Sequence, residues 1–408
     1  MKLYDELKWR GLIKDEAGDD LEEKINNGGM TFYIGTDPTA DSLHLGHLSS
    51  FLISKRLEKG GHKPILLIGG ATGRIGDPRP TQERPMKSVE EIEHNFKALK
   101  KQVEDLFGFE VVNNYDWCKD INFIDFLRDY GKYFNVNYML DKDIIRRRLD
   151  TGITFTEFSY MIMQALDFLH LNETRGCIMQ CAGSDQWGNI TAGIDLIRKK
   201  TGKEVYGFTM PLVVDKNGKK FGKSEGNAYF LDKNKTSSYE MYQYLVNSDD
   251  EKVIEYLKIF TFLTKEEIED IEVKQKERPE ERLAQKTLAH EVIKFLHGEA
   301  EAEKAKQMSE VLFTGHVNNL SKADIKNVFK DVLNFDTKEG ENIIDLLVDN
   351  KICQSKREAR EFVNAGSITI NEQRIETEDY FVDRNKAIDG EILVLRRGKK
   401  KYYIGTII

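Results

Sequence analysis

"TFYIGTDPTADSLHLGHLSSFLISKRLEKGGHKPILLIGG" spans residues 31–70, and its reading decides the fold. Two apolar runs, TFYIGT (31–36) and ILLIGG (65–70), read as short buried strands that each close on glycine. Between them, LHLGHLSSFLISKRLEKGG carries apolar residues at helical spacing and stops on Gly60 and Gly61. A strand–helix–strand unit implies an α/β fold: a Rossmann-like, doubly wound parallel sheet. Two of the 8 histidines, His44 and His47, fall in the first turn of this helix, three apart on one face, with Gly46 between them. Asp41 or Ser42 is expected to cap that helix. Two such histidines suit metal ligation, acid–base work, core packing or an anion site. A helix N-terminus after a strand favours the anion, and Gly46 lets a ligand approach the backbone. No HExxH and no matching Cys/His pair supplies further zinc ligands, so no metal site is expected.

Outward from this unit, 408 residues imply two or three domains. Hydrophobic content of 40% and charged content of 32% describe a soluble globular chain with a sizeable core. A net charge of -8 argues against coating nucleic acid by charge alone, yet leaves room for a basic face on one domain. Cys118, Cys177, Cys181 and Cys353 fit no disulfide framework and read as thiols of a reducing cytoplasm. The opening MKLYDELKWRGLIKDEAGDD reads as an amphipathic helix and a charged turn, not a signal segment, and no apolar run is long enough for a membrane span.

Residues 88–150 are charged, helical and interleaved with aromatics, and read as an insertion between two halves of a sheet domain. GCIMQCA (176–182) reads as another buried strand, followed by GSDQWGNITAGIDLIRKK (183–200), a turn into a helix. The expected organisation is a sheet domain over 1–225, a helical domain over 226–333, a linker NFDTKEGEN at 334–342, and a small α+β domain over 343–408. In that last domain RRGKKKYY (396–403) concentrates positive charge between strand-like flanks, which suggests a basic edge on a folded surface.

Two further stretches carry chemistry. GKKFGKSEG (218–226) sets Lys220 and Lys223 among glycines, so a mobile loop that closes over a polyphosphate is expected. In EFSYMIMQALDF (157–168), Tyr160, Gln164 and Asp167 fall at i, i+4 and i+7, on one helix face among apolar neighbours. Buried polar groups need partners, and Tyr33 places a second phenol at the carboxyl edge of the sheet.

HLGH together with KFGKS resembles the paired signatures of class I aminoacyl-tRNA synthetases. YxGxDPTADSLHxGH (33–47), GATGxIGDP (70–78), TEFSYMxxQAxDF (156–168) and GSDQWGNITAG (183–193) resemble the bacterial tyrosyl enzymes of that class. SKREAREFVNAGSITIN (355–371) is similar to the S-four-type RNA-binding module that ends them. The resemblance implies activation of L-tyrosine with ATP, accompanied by Mg²⁺, to tyrosyl-adenylate and pyrophosphate, then transfer to the 3′ end of tRNA(Tyr). It assigns Tyr33 and Asp167 to the substrate phenol, and Asp77, Tyr160 and Gln164 to its ammonium. Thr39 and His44 fall to the terminal phosphate and His47 to the ribose region. Gly35, Asp37, Gly46, Asp185 and Gln186 surround the adenylate; Lys220, Lys223, Ser224 and Arg84 meet the pyrophosphate. Lys356, Arg357, Arg360, Arg396, Arg397, Lys399 and Lys400 are the implied RNA contacts, and the 88–150 insertion the interface of a homodimer. Ile34 stands where many relatives carry a cysteine, and GDPRPTQERP (76–85) is shorter than usual and lacks its first lysine. A tryptophanyl enzyme and a non-catalytic RNA-binding relative are the competing readings.

Overall fold

The structure is a computed structural model that describes residues 1–78, 86–224, 227–314, 317–318, 320–330, 332–398 and 401–408. The backbone divides into two compact units, residues 1–237 with 247–288, and 238–246 with 289–408.

The first unit is built on a six-stranded sheet of order β1-β6-β5-β2-β3-β4. Its strands are β1 (Glu16–Ala17), β2 (Thr31–Thr36), β3 (Lys63–Ile68), β4 (Glu110–Asn113), β5 (Cys177–Gly183) and β6 (Tyr206–Met210). All neighbours run parallel except β1 and β6. Phe32, Tyr33 and Ile34 are buried in succession, as a central parallel strand covered on both faces requires. The helices that matter below are α1 (Leu3–Trp9), α2 (Leu45–Lys59), α3 (Val89–Phe107), α4 (Phe155–Arg175), α5 (Trp187–Thr201) and α6 (Val253–Phe260). The sheet order reverses direction between β2 and β5, and such a switch opens a crevice at the carboxyl ends of those strands. The doubly wound sheet expected from residues 31–70 is therefore present.

Three expectations need correction. Residues 89–113 are not part of an insertion. They form α3 and then β4, which pairs parallel with β3 as the sheet edge. EVVN is too short and too polar to register as a strand in sequence. Of the expected insertion, the part after β4 is a run of short helices outside the sheet. Likewise 334–342 is not a plain linker, because β9 (Leu333–Thr337) buries Phe335 and Thr337.

That strand belongs to the second unit, whose sheet has the order β11-β10-β12-β13-β9. The other strands are β10 (Ile368–Ile370), β11 (Gln373–Ile375), β12 (Ile392–Arg397) and β13 (Lys401–Ile407). β9 and β13 are parallel and the remaining pairs antiparallel. Successive side chains of β12 point to opposite faces. Leu393 and Leu395 enter one core with Ile344, Leu347 and Val363, while Ile392 and Val394 enter another with Met308, Val311 and Phe329. The helices expected as one domain over 226–333 are shared between the units, with 247–288 in the first. Among the described residues, no helix is long and apolar enough to cross a membrane.

Candidate active site

A cavity of about 910 Å³ opens where β2 and β5 end. β2 and the turn after it contribute Tyr33, Gly35, Asp37 and Thr39; the start of α2 contributes His44, Gly46 and His47. α4 turns Tyr160, Gln164 and Asp167 inward from one face, as their spacing predicts. Asp77, Asp185, Gln186 and Lys220 complete the residues expected from sequence. Lys223 and Ser224 are placed by their backbone, which forms β7 (Lys223–Ser224) against β8 (Asn227–Ala228). Arg84 lies outside the described residues.

The floor of the cavity is a polar network inside an apolar shell. Asp167 is 1% exposed and accepts from Trp117 Nε1 at 2.8 Å and Asn114 Nδ2 at 3.0 Å. Asn114 also donates to Thr72 Oγ1 (3.0 Å), which donates to Asp37 Oδ1 (2.9 Å). Tyr160 Oη donates to the other oxygen of Asp37 at 3.1 Å. Gln186 donates to Asp77 at 2.9 Å, and Asn189 bridges Gln164 and Gln186. Gly69 makes room for this chain, since a Cβ there would stand 2.2 Å from both Asp37 and Thr72.

Two groups stand out against this well-paired background. The Tyr33 hydroxyl is buried without a hydrogen-bond partner, and so is Gln180 Oε1. Burial, and then the charge of Asp167, pushes the Tyr33 phenol well above its usual pKa, so it is a firm donor. Burial also pushes the Asp167 carboxyl up to about 7, against the opposing pull of its bonds from Asn114 and Trp117. An orphaned phenol and a destabilised carboxylate in one cavity call for a neutral hydroxyl that accepts from the first and donates to the second.

The histidines cap their own helix, which corrects the expectation for Asp41 and Ser42. The N-cap of α2 is His44. Its Nδ1 accepts from Gly46 N at 3.1 Å, while His47 Nδ1 accepts from His44 N at 3.2 Å. An imidazole here does what Ser and Glu do in an ordinary capping box. With Nδ1 accepting, each neutral ring carries its proton on Nε2. Asp41 is drawn off to Lys235, and Ser42 is buried against Gln102. The KFGKS segment packs on this helix start: Leu45 N donates to Tyr229 O (2.9 Å), and Tyr229 N to Gly222 O (3.1 Å). Gly222 has φ of +80°, and a Cβ on it would lie 2.7 Å from Leu45 Cβ. The described residues of the segment are thus anchored on the start of α2 in this state.

Comparison with known proteins agrees with this geometry. The family model for tRNA synthetases class I (W and Y) matches residues 25–314, and that for a tyrosine–tRNA ligase SYY-like C-terminal domain matches 324–405. The chain is 50% identical to the tyrosine–tRNA ligase of Leuconostoc mesenteroides, with 100% of both chains covered. The chain belongs to the tyrosyl-tRNA synthetases. A Lactobacillus acidophilus tyrosine–tRNA ligase is 48% identical over 99% of each chain. The solved mitochondrial tyrosyl-tRNA synthetase of Aspergillus nidulans, C-terminally truncated, aligns with TM-score 0.67 and 32% identity over 76% of this chain and 94% of that one. A tryptophanyl-tRNA synthetase from Encephalitozoon cuniculi, at 15% identity and TM-score 0.56, shares the fold. The synthetase activates tyrosine with ATP and charges tRNA with it.

Sequence reasoning missed several residues of the synthetase cavity. Asn114 and Trp117 hold Asp167 from behind the cavity wall, but they belong to a four-residue helix, Tyr115–Cys118, and its N-cap, too short for a periodic signal. Thr72 and Gln180 sit on motifs that were read for other positions. Arg147 lines the cavity from the 114–154 segment, and nothing in its spacing marks it. In the second unit, the implied RNA contacts Lys356, Arg357 and Arg360 are exposed but pair with Asp345, Glu361 and Glu378. Arg397 packs over the Phe362 ring at 5.1 Å and donates to Ile352 O, a structural role. Arg396 has a buried Nε without a partner. Lys399 and Lys400 lie outside the described residues.

Proposed function

We propose that the substrate phenol sits between Tyr33 and Asp167, and that this pair selects tyrosine. The observation that carries the reading is the buried Tyr33 hydroxyl without a partner, in a cavity it shares with a buried carboxylate. A charge-assisted bond to Asp167 contributes about 1.5–3 kcal/mol. Phenylalanine would leave the Tyr33 hydroxyl unpaired and Asp167 with only its bonds from Trp117 and Asn114. Asp77, Tyr160 and Gln164 receive the ammonium. His44 and Thr39 meet the terminal phosphate of ATP and His47 the ribose region, through Nε2–H donors. Gly35, Asp37, Gly46, Asp185 and Gln186 surround the adenylate. The cavity also presents Asp37, Asp77, Asp167 and Asp185. The triphosphate therefore depends on cations: Lys220, Lys223 and Arg84, with Ser224, and in this chain Arg147 as well.

The tyrosine carboxylate attacks the α-phosphorus and pyrophosphate leaves. A ribose hydroxyl of the tRNA 3′ end then attacks the activated carbonyl, and AMP leaves. The carboxylate is already a nucleophile, so the site supplies positioning and charge stabilisation. Mg²⁺ would neutralise phosphate charge. Asp37 and Asp77 are already bonded to Thr72, Tyr160 and Gln186, which suits an ion carried on phosphate oxygens rather than in a carboxylate cage.

The 114–154 segment and the adjoining start of α4 expose Phe123, Ile124, Leu127, Val136, Leu149 and Phe155, a surface suited to a second copy. The homodimer, the cytoplasmic setting and the division into catalytic, helical tRNA-binding and S-four-type RNA-binding domains complete the proposal. Surface ion pairs such as Arg360–Glu378 are weak, so RNA phosphates can displace them. Equilibrium binding of tyrosine to Asp167→Ala tests the pocket: abolished binding is expected, and retained tight binding would refute it.

A further inference from the structure

The far end of α2 holds an arrangement with no ligand of its own. Arg56, three turns beyond the histidines, and Arg10, just after α1, are 3% and 4% exposed. Both guanidiniums are spent on backbone carbonyls at the end of α6. Arg10 Nη1 donates to Lys258 O at 2.8 Å and Nη2 to Leu263 O at 2.6 Å, while Nε holds Glu6 at 2.7 Å. Arg56 Nη2 donates to Thr261 O, and its plane lies over the Phe262 ring at 4.9 Å. Cations at a helix C-terminus meet the negative end of its dipole. Yet the site is costly. Arg56 Nε and Nη1 are buried without partners, and burial, with the charge of Arg10, pulls its pKa down to about 9. Apolar residues would hold two helices together without that penalty.

What α6 carries at its other contacts explains the arrangement. Phe221, the second residue of KFGKS, lies on Tyr256 and Phe260 of α6, with ring centroids 4.4 Å and 5.0 Å apart. Tyr256 Oη donates at 3.0 Å to Val214 O, and Val214 lies across from Lys220, the first residue of KFGKS. Gly222 then abuts Leu45 at the first turn of α2. The contacts therefore close a ring: start of α2, Gly222, Phe221, α6, Arg56, end of α2. One helix presents HLGH and also anchors the helix on which KFGKS rests.

We propose that Arg10 and Arg56 are positioning residues for the adenylation step, fixing α6 so that Lys220 and Lys223 stand at a set distance from His44 and His47. This rests on the proposed role of those lysines at the pyrophosphate. It does not involve the tyrosine pocket, which is built from β2 and α4. A misplacement of about 1 Å can cost about 100-fold in rate.

The test uses the full-length enzyme. Pre-steady-state adenylate formation and equilibrium tyrosine binding are measured for Arg56→Met, Arg10→Met, Arg56→Lys, Lys223→Ala and the Arg56→Met/Lys223→Ala pair. Arg56→Met should slow adenylate formation about tenfold or more, while tyrosine affinity stays within about twofold, which also shows that the variant is folded. Arg10→Met, on a different element, should act the same way, and Arg56→Lys should restore part of the rate. In the Lys223→Ala background, Arg56→Met should cost little more, because both changes act through one motif. The proposal is overturned if Arg56→Met leaves the rate unchanged, weakens tyrosine binding by the same factor, or acts undiminished without Lys223. A Lys223→Ala rate equal to wild type would remove the reading of KFGKS itself, and the proposal with it.

Discussion

Replacing Tyr33 with phenylalanine should move stability and affinity in opposite directions. In the unliganded enzyme the Tyr33 hydroxyl is 1% exposed as part of its side chain and has no hydrogen-bond partner. A buried hydroxyl in that state costs about 1–3 kcal/mol. The ring itself packs on Phe168, centroids 5.4 Å apart, and phenylalanine keeps that contact. Removing one oxygen should therefore stabilise the free enzyme by about 1 kcal/mol, a rise in Tm on the order of 2 °C. With tyrosine bound, the same hydroxyl donates to the substrate phenol. Its loss should weaken binding by about 0.5–1.5 kcal/mol, or roughly 2- to 12-fold in Kd. Thermal melts without ligand and fluorescence titration with tyrosine read the two effects separately. A Tyr33→Phe enzyme that melts lower and binds tyrosine as tightly as wild type would refute the reasoning. It would mean that the hydroxyl is already satisfied and does not face the substrate.

The remaining expectations follow from other parts of the molecule. Burial raises the Asp167 carboxyl to about 7, well above the usual carboxylate range, so the folded, unliganded chain holds this proton more tightly than the unfolded one. Its contribution to stability is then greatest below about pH 4 and falls as pH rises toward 7. Tyrosine donates to the ionised form, so its affinity should drop as pH falls below about 7, by at most about tenfold per unit for one linked proton. Calorimetry in buffers of different ionisation heat should show proton release on binding; affinity flat from pH 8 to 5.5 would contradict it. Lys223→Ala should slow adenylate formation far more than it weakens tyrosine binding, as rapid-quench and binding measurements can separate; equal losses would remove its pyrophosphate role. Arg148 and Glu157 form a buried two-pronged pair at 3.0 Å. Arg148→Ala should destabilise the first unit by about 3–5 kcal/mol, seen in denaturant unfolding, and a loss below about 1 kcal/mol would mean the pair is hydrated.

How much of this was legible in sequence depends on whether a residue's role is local or is made by the fold. Residues 31–70 announced the sheet because strand and helix periods alternate there within one segment. Tyr160, Gln164 and Asp167 were legible because helix geometry alone puts them on one face. The capping of α2 was not, because Asp41 and Ser42 carry the usual signal and nothing local says that one is taken by Lys235 and the other buried. Asn114 and Trp117 were not legible either. They reach Asp167 only after β4 pairs with β3, and β4 itself is too short to read. β9 was hidden for a similar reason: its partner β13 lies more than sixty residues downstream, and only that pairing buries Phe335. Nothing local marks Arg10 and Arg56, because only the fold brings the end of α6 against them.

The most direct test of how the enzyme chooses its amino acid is ATP–pyrophosphate exchange with tyrosine and with phenylalanine, in wild type and in Asp167→Asn. Wild type should exchange with tyrosine and reject phenylalanine, since a missing hydroxyl strands Tyr33 and denies the buried Asp167 carboxylate the donor it lacks. Asp167→Asn should lose tyrosine-dependent exchange steeply and narrow the gap between the two amino acids. Undiminished discrimination in Asp167→Asn would contradict the account, because the selection would then lie outside the Tyr33–Asp167 pair.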